Sequence, residues 1–177
     1  ITYKINDRIN YYNNLINIIE THMFMSPSEY LIARNINKIF GALEYSRRTI
    51  NEWYDLVKTR GKKRVVTLYN NIDLNHIIRN KDIYLLSWDK SKTGIPIYDL
   101  YDFYIKYSGL IDFKDLLKYY EDRYPLLEEE RLLFYILISI PNEINFVNSE
   151  IDNCKNTKKI IDYLYRSEVL VSETVNE

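Results

Sequence analysis

The sequence predicts a mainly α (α+β) fold: one helical domain over residues 1–177 with a small three-strand β insert around residues 64–88. Three observations carry that expectation. Gly and Pro number only 4 each, too few for a turn-rich β fold. Apolar residues recur at spacings of three and four along most of the chain. Between Arg64 and Trp88 that period gives way to short β-branched runs.

The first helix is expected over residues 3–23, where Ile5, Ile9, Tyr12, Ile16 and Ile19 share a face. "MSPSEY" then starts a second: Ser26 can cap it, Pro27 fits the first turn, and Glu29 completes a capping box. That helix carries Leu31, Ile36 and Ile39, is expected to weaken or bend at Gly41, and resumes through Leu43, Ile50 and Trp53. Gly61, inside the basic stretch "KTRGKKR", ends it. The runs "RVVTLY", "HIIR" and "DIYLLSW" read as the three strands, joined by Asn-rich and "RNKD" turns. Pro96 opens the helix "PIYDLYDFYIKY", and Asp112 caps the next, which carries Phe113, Leu116 and Leu117. Leu127–Ile140 is apolar on every side after Arg131 and is expected to be a central, buried helix. A last helix is expected from about Glu150 to Val169, with Ile160, Ile161 and Leu164 inward.

Composition removes several function classes. The net charge of −1 and the single basic cluster do not suit a nucleic-acid partner. The longest apolar run, Leu132–Ile140, is too short to span a bilayer, so no membrane partner is expected. One cysteine, Cys154, excludes an intramolecular disulfide and suits a reducing, cytoplasmic setting. Two histidines, His22 and His76, leave no Cys- or His-rich zinc site. The 18 tyrosines, set beside abundant Asn and absent Gln, fit AT-rich coding better than an aromatic binding face. The opening on Ile1, with no signal-peptide pattern, is read as a fragment of a longer protein.

One region resembles a known family. The stretches "LYNNIDLNHII", "YLLSWDK" and "GIPIYDL" can be laid on the loop, strand and helix start of the aminoglycoside phosphotransferase and choline kinase superfamily, which read "HGDxxxxN", "IDW" and "PxxDL". The likeness is closest to the spore-coat kinase-like branch, and implies the helical C-terminal lobe of a bacterial, kinase-like protein, with a spore setting one option. Aligning Trp88 and "PIYDL" puts Ser87 at one magnesium-binding position, His76 at the other and Asn71 at the catalytic aspartate. Tyr69 and Asn70 replace the family's His and Gly. Asp99 keeps the aspartate that is structural in the family.

The replaced groups are poor at the chemistry. Phosphoryl transfer relies on positioning and on Mg²⁺ held against the phosphates. Magnesium selects hard oxygen ligands, where His76 offers nitrogen and Ser87 a neutral hydroxyl. An amide at position 71 is no usable base. Asp73 and Asp89 each stand two residues from a lost group, and either is a candidate surrogate or an ordinary turn acid. No glycine-rich phosphate loop occurs.

Three readings therefore stand. The first is a pseudokinase lobe that binds a protein or a small ligand around Asn71, Asp73, His76, Ser87 and Asp89, with no cofactor for this fragment. The second is an active Mg-ATP-dependent phosphotransferase for a small hydroxylated or amino substrate, completed by an upstream nucleotide lobe. The third is a helical interaction module unrelated to kinases.

Overall fold

The computed structural model describes residues 1–175 and is mainly helical, with two small two-stranded sheets. Its helices are α1 (Thr2–Thr21), α2 (Pro27–Arg60), α3 (Ile97–Tyr107), α4 (Phe113–Glu121), α5 (Glu128–Ser139) and α6 (Glu150–Val175). Its strands are β1 (Val66–Leu68), β2 (Ile77–Arg79), β3 (Ile83–Leu85) and β4 (Lys92–Gly94). The chain divides into two compact units. One comprises Ile1–Glu52 with the stretch from Tyr135 onward, and the other is the continuous segment Trp53–Phe134.

In the first unit the helical stripes read from sequence become the core. Ile5, Tyr12 and Ile19 of α1 are buried, as are Ile32, Ile39, Leu43 and Ile50 of α2 and Leu164 and Leu170 of α6. The capping box at α2 forms in both directions: Glu29 Oε2 accepts the Ser26 N–H at 2.7 Å, and Ser26 Oγ accepts the Glu29 N–H at 3.4 Å. A second acid joins this helix start, because Glu150 Oε1 accepts the Ser28 N–H at 2.6 Å. The Tyr12 hydroxyl donates to the Asn142 carbonyl at 2.5 Å.

Helix α2 does not bend into two pieces at Gly41; it is one helix of 34 residues. A single glycine costs about 1 kcal/mol relative to alanine, which the buried stripe on either side outweighs. Gly61 terminates the helix as expected, at φ +65, donating its N–H to the Val57 carbonyl at 3.1 Å.

The second unit holds both sheets. The β insert differs from expectation in its strand count: β4 joins β1, antiparallel, with Thr67 opposite Thr93, while β2 and β3 form a separate hairpin with Ile78 opposite Tyr84. "KTG" has low strand propensity, and its extended form is imposed by the partner strand. Aromatic rings fill the rest of this core: Tyr104 meets Phe113 and Phe134 edge-on, at 4.7 and 5.9 Å between centroids. Asp112 caps α4 by accepting the Lys114 N–H at 3.0 Å.

The basic stretch is less solvated than its composition suggests. Arg64 forks onto Glu130, a carboxylate only 4% exposed, through Nε at 3.0 Å and through Nη2. Its guanidinium also lies 4.0 Å over the Tyr124 ring. Glu130 further accepts the Leu127 N–H at 3.0 Å, so the acidic first turn of α5 is partly a buried anchor.

Candidate functional site

Helix α3 splints the loop between β1 and β2. At its start, the Asp99 carboxylate accepts the N–H of Tyr69 at 2.7 Å and of Asn70 at 2.9 Å. Two backbone donors on one carboxylate hold the chain where it turns, and Asn70 there adopts the left-handed region at φ 54. At the other end of α3, Lys106 Nζ donates to the Ile72 carbonyl. Tyr107 Oη accepts the Leu74 N–H at 3.0 Å. The loop is thus gripped at residues 69–70 and again at 72–74.

Within that grip Asn71, His76 and Ser87 come together. The Asn71 amide donates to the Ser87 carbonyl at 3.3 Å, and the His76 ring stands 3.1 Å from the Asn71 carbonyl through Nδ1. The strand pair closes beneath them, with the Leu86 N–H on the His76 carbonyl at 2.9 Å. Ser87 is the second non-glycine residue in the left-handed region, at φ 63, and this turn swings Trp88 back over the loop. A serine there bears a cost of about 1 kcal/mol.

The hub of the cluster is Tyr69, which sequence reasoning noted only as a replacement. Its side chain is buried, and its hydroxyl donates to the Leu86 carbonyl. The same oxygen lies 2.8 Å from His76 Nδ1, and the ring meets Trp88 edge-on at 5.0 Å. These contacts favour a proton on His76 Nδ1. The Asn71 and Leu86 carbonyls only accept, so the phenol proton goes to Leu86 and the Nδ1 proton to Asn71 and the Tyr69 oxygen. The other ring nitrogen, Nε2, has no protein partner among the described residues.

The two neighbouring acids occupy different situations. Asp73 caps the short 3-10 turn Leu74–His76, its Oδ1 accepting the Asn75 N–H at 2.9 Å. That hydrogen bond, helped by His76 and Lys106, holds its carboxyl below the usual aspartate range. Asp89 stands exposed in the turn Trp88–Lys90. Burial raises the Tyr69 hydroxyl above the ordinary phenol range, and the charges of Asp89 and Asp73 add to the rise.

A cavity of about 290 Å³ is lined by Val66, Leu68, Ile72, Asp99, Phe103 and Tyr120 among others. Burial pushes the Tyr120 phenol up to about 12, chiefly by desolvation. Among the described residues, no group of three or more His, Cys, Asp or Glu side chains is placed to hold a metal ion. No helix among them is long and apolar enough to cross a membrane.

Other residues weighed from sequence fall outside this cluster. Cys154 is a free, half-buried thiol raised by burial and by Glu150, hence a poor nucleophile. His22 pairs its Nδ1 with Glu29 at 2.8 Å, beside the start of α2. Of the four tyrosines spaced by three in α3, Tyr104 is core, Tyr107 holds the loop and Tyr98 is 40% exposed, so no aromatic stripe faces solvent.

No family model, no curated protein and no solved structure matches the chain.

Proposed function

We propose that this chain is the helical lobe of a small-molecule-kinase-like protein that no longer transfers phosphate, and that it acts by binding at the Asn71–His76–Ser87 cluster. One observation carries the reading: a tightly held loop whose own polar groups are spent on holding it. Asp99 fixes the loop backbone through two charged hydrogen bonds. Where phosphoryl transfer would need a base and hard anionic ligands, an amide and an imidazole are bonded to neighbouring carbonyls. What faces outward is a set of recognition groups: His76 Nε2 and the half-buried Asp73 carboxylate, beside the exposed Asp89 carboxylate and the half-exposed Trp88 indole. Such a mixture suits a small polar ligand or one side chain of a protein partner.

A second reading rests on Asp73 and Asp89. Both are close enough to act on the Tyr69 hydroxyl, so surrogate carboxylates lie beside the cluster. Under that reading Mg-ATP is the cofactor and a small hydroxylated or amino compound the substrate. Against it, Asp73 is already committed to the Asn75 N–H as a cap.

Calorimetric titration of the full-length protein with Mg-ATP, run beside a phosphoryl-transfer assay, separates the two. The binding reading expects no turnover, and no magnesium-dependent heat that Asp73→Asn removes. Turnover that disappears in Asp73→Asn or Asp89→Asn overturns it and installs the second.

A further inference from the structure

Gly41 is a residue that the fold does not require. Only proline is a poorer helix former, yet α2 runs through this position unbroken. Its backbone is not left-handed, and a Cβ placed there would meet nothing within 4 Å, so no close neighbour demands its absence. What the glycine leaves is space.

That space belongs to a cavity of about 520 Å³ within the first unit. Gly41 and Ala42 of α2 line it together with Leu164 and Val171 of α6 and Ser139, the last residue of α5. Leu164, Val171 and Ser139 are buried. The size falls within the range of about 300–1,000 Å³ usual for small-molecule sites. A closed cavity of about 150 Å³ already admits benzene, so this one, its open mouth discounted, has room for roughly ten to fifteen non-hydrogen atoms.

The polar groups around the cavity select the occupant. Lys38 and Glu168, the one cation and one anion of the lining, are bonded to each other, and Lys38 Nζ also lies 5.3 Å over the Tyr165 ring. The Tyr45 hydroxyl is hydrogen-bonded to the Thr49 side chain, the Ser172 hydroxyl donates to the Val169 carbonyl at 2.9 Å, and Ser167 has a partner of its own. Asn37 is exposed to solvent. Ser139 is the exception. It is 5% exposed, its hydroxyl has no protein partner among the described residues, and the oxygen is not sealed in, so it opens on the cavity it lines. A buried hydroxyl without a partner is unfavourable, and a ligand's hydrogen bond would relieve it.

We propose that this cavity binds a neutral, largely apolar small molecule of that size, held by one hydroxyl or carbonyl group on Ser139 Oγ. The inference does not depend on the proposed loss of phosphotransfer, which concerns the other unit. A carboxylate or ammonium fits worse, because the lining has no unpaired charge to replace the water such a group loses. A peptide segment fits worse too. It would bring several backbone N–H and C=O groups to a lining with one buried free partner.

The test is calorimetric titration of the whole chain with 2-naphthol, naphthalene and 2-naphthoate, which share a skeleton and differ in one group. 2-Naphthol should bind at a single site, naphthalene about tenfold more weakly for lack of the hydrogen bond, and 2-naphthoate at least about a hundredfold more weakly. Ser139→Ala should erase the tenfold preference and leave naphthalene binding unchanged, a selectivity change that a merely structural serine would not give. Gly41→Phe, a better helix former than the glycine it replaces, should keep the helix by circular dichroism and weaken both neutral probes at least about tenfold. Gly41→Ala should keep binding. Absence of 2-naphthol binding overturns the proposal. So does a preference for 2-naphthol that survives Ser139→Ala, binding that survives Gly41→Phe, or 2-naphthoate binding as tightly as 2-naphthol.

Discussion

Replacing Asp99 by alanine should loosen the candidate loop while leaving the helices folded. The carboxylate accepts two backbone N–H groups, at 2.7 and 2.9 Å. Hydrogen bonds to a charged acceptor contribute about 1.5–3 kcal/mol each. Asp99 is only half-buried, which argues for the low end, and water will re-solvate Asn70 more easily than the buried Tyr69. The net loss comes to about 3 kcal/mol of local stability, roughly a hundredfold in the opening equilibrium. Part of it returns as Asn70 escapes its left-handed conformation. Amide hydrogen exchange resolved by residue is the assay. Tyr69 and Asn70 should exchange about a hundred times faster in Asp99→Ala, and Asp99→Asn, with one acceptor oxygen left, should fall between. The amides of buried α1 positions Ile5 and Tyr12 should not change. If Tyr69 and Asn70 keep their protection in a folded Asp99→Ala variant, the loop is held by something else.

Other perturbations test the remaining supports. Glu130→Gln removes the charge from a fork with Arg64, which is 30% exposed, and should cost about 2–3 kcal/mol, a fall of roughly 4–12 °C in Tm by calorimetry. Ser87→Gly removes a left-handed serine against the backbone entropy of glycine and should stabilise by about 0.5 kcal/mol in urea titrations. In Gly94→Ala, the new Cβ would stand 2.5 Å from Cδ1 of the buried Leu68, a clash expected to cost about 1–3 kcal/mol. Glu29 and Glu150 are both held below the usual glutamate range, mainly by backbone N–H donors at the start of α2. Carboxyls depressed by folding stabilise fully above their unfolded pKa, about 4.3, and lose that contribution as pH falls through the lower folded values. The urea midpoint of Glu150→Gln should thus lie below that of the parent chain at pH 7 and converge with it in acid.

What the sequence made legible is what short-range chemistry decides. Ser26 and Glu29 sit three residues apart and cap each other wherever the rest of the chain lies, and Asp112 and Gly61 likewise mark helix ends by local rules. Long-range facts were not readable. β4 is a strand because β1 lies beside it, and Arg64 meets Glu130 across 66 positions. At the candidate site, the positions 71, 76 and 87 were picked out by counting, but their mutual hydrogen bonds and the hub role of Tyr69 depend on a hairpin closing between them. A phenol held between one carbonyl and an imidazole leaves no trace in residue spacing.

The division of the chain also sets an order of events during synthesis. Every residue of the Trp53–Phe134 unit is available once that stretch has emerged, whereas the other unit is sewn from the two ends of the described chain. Ser28 waits 122 positions for the Glu150 that accepts its N–H, and Tyr12 waits 130 for the Asn142 carbonyl. At about 5–20 residues per second, α1 and the start of α2 spend roughly 6–26 s on the ribosome with their apolar stripes uncovered. For that interval these two helices are the part of the described chain most in need of a chaperone.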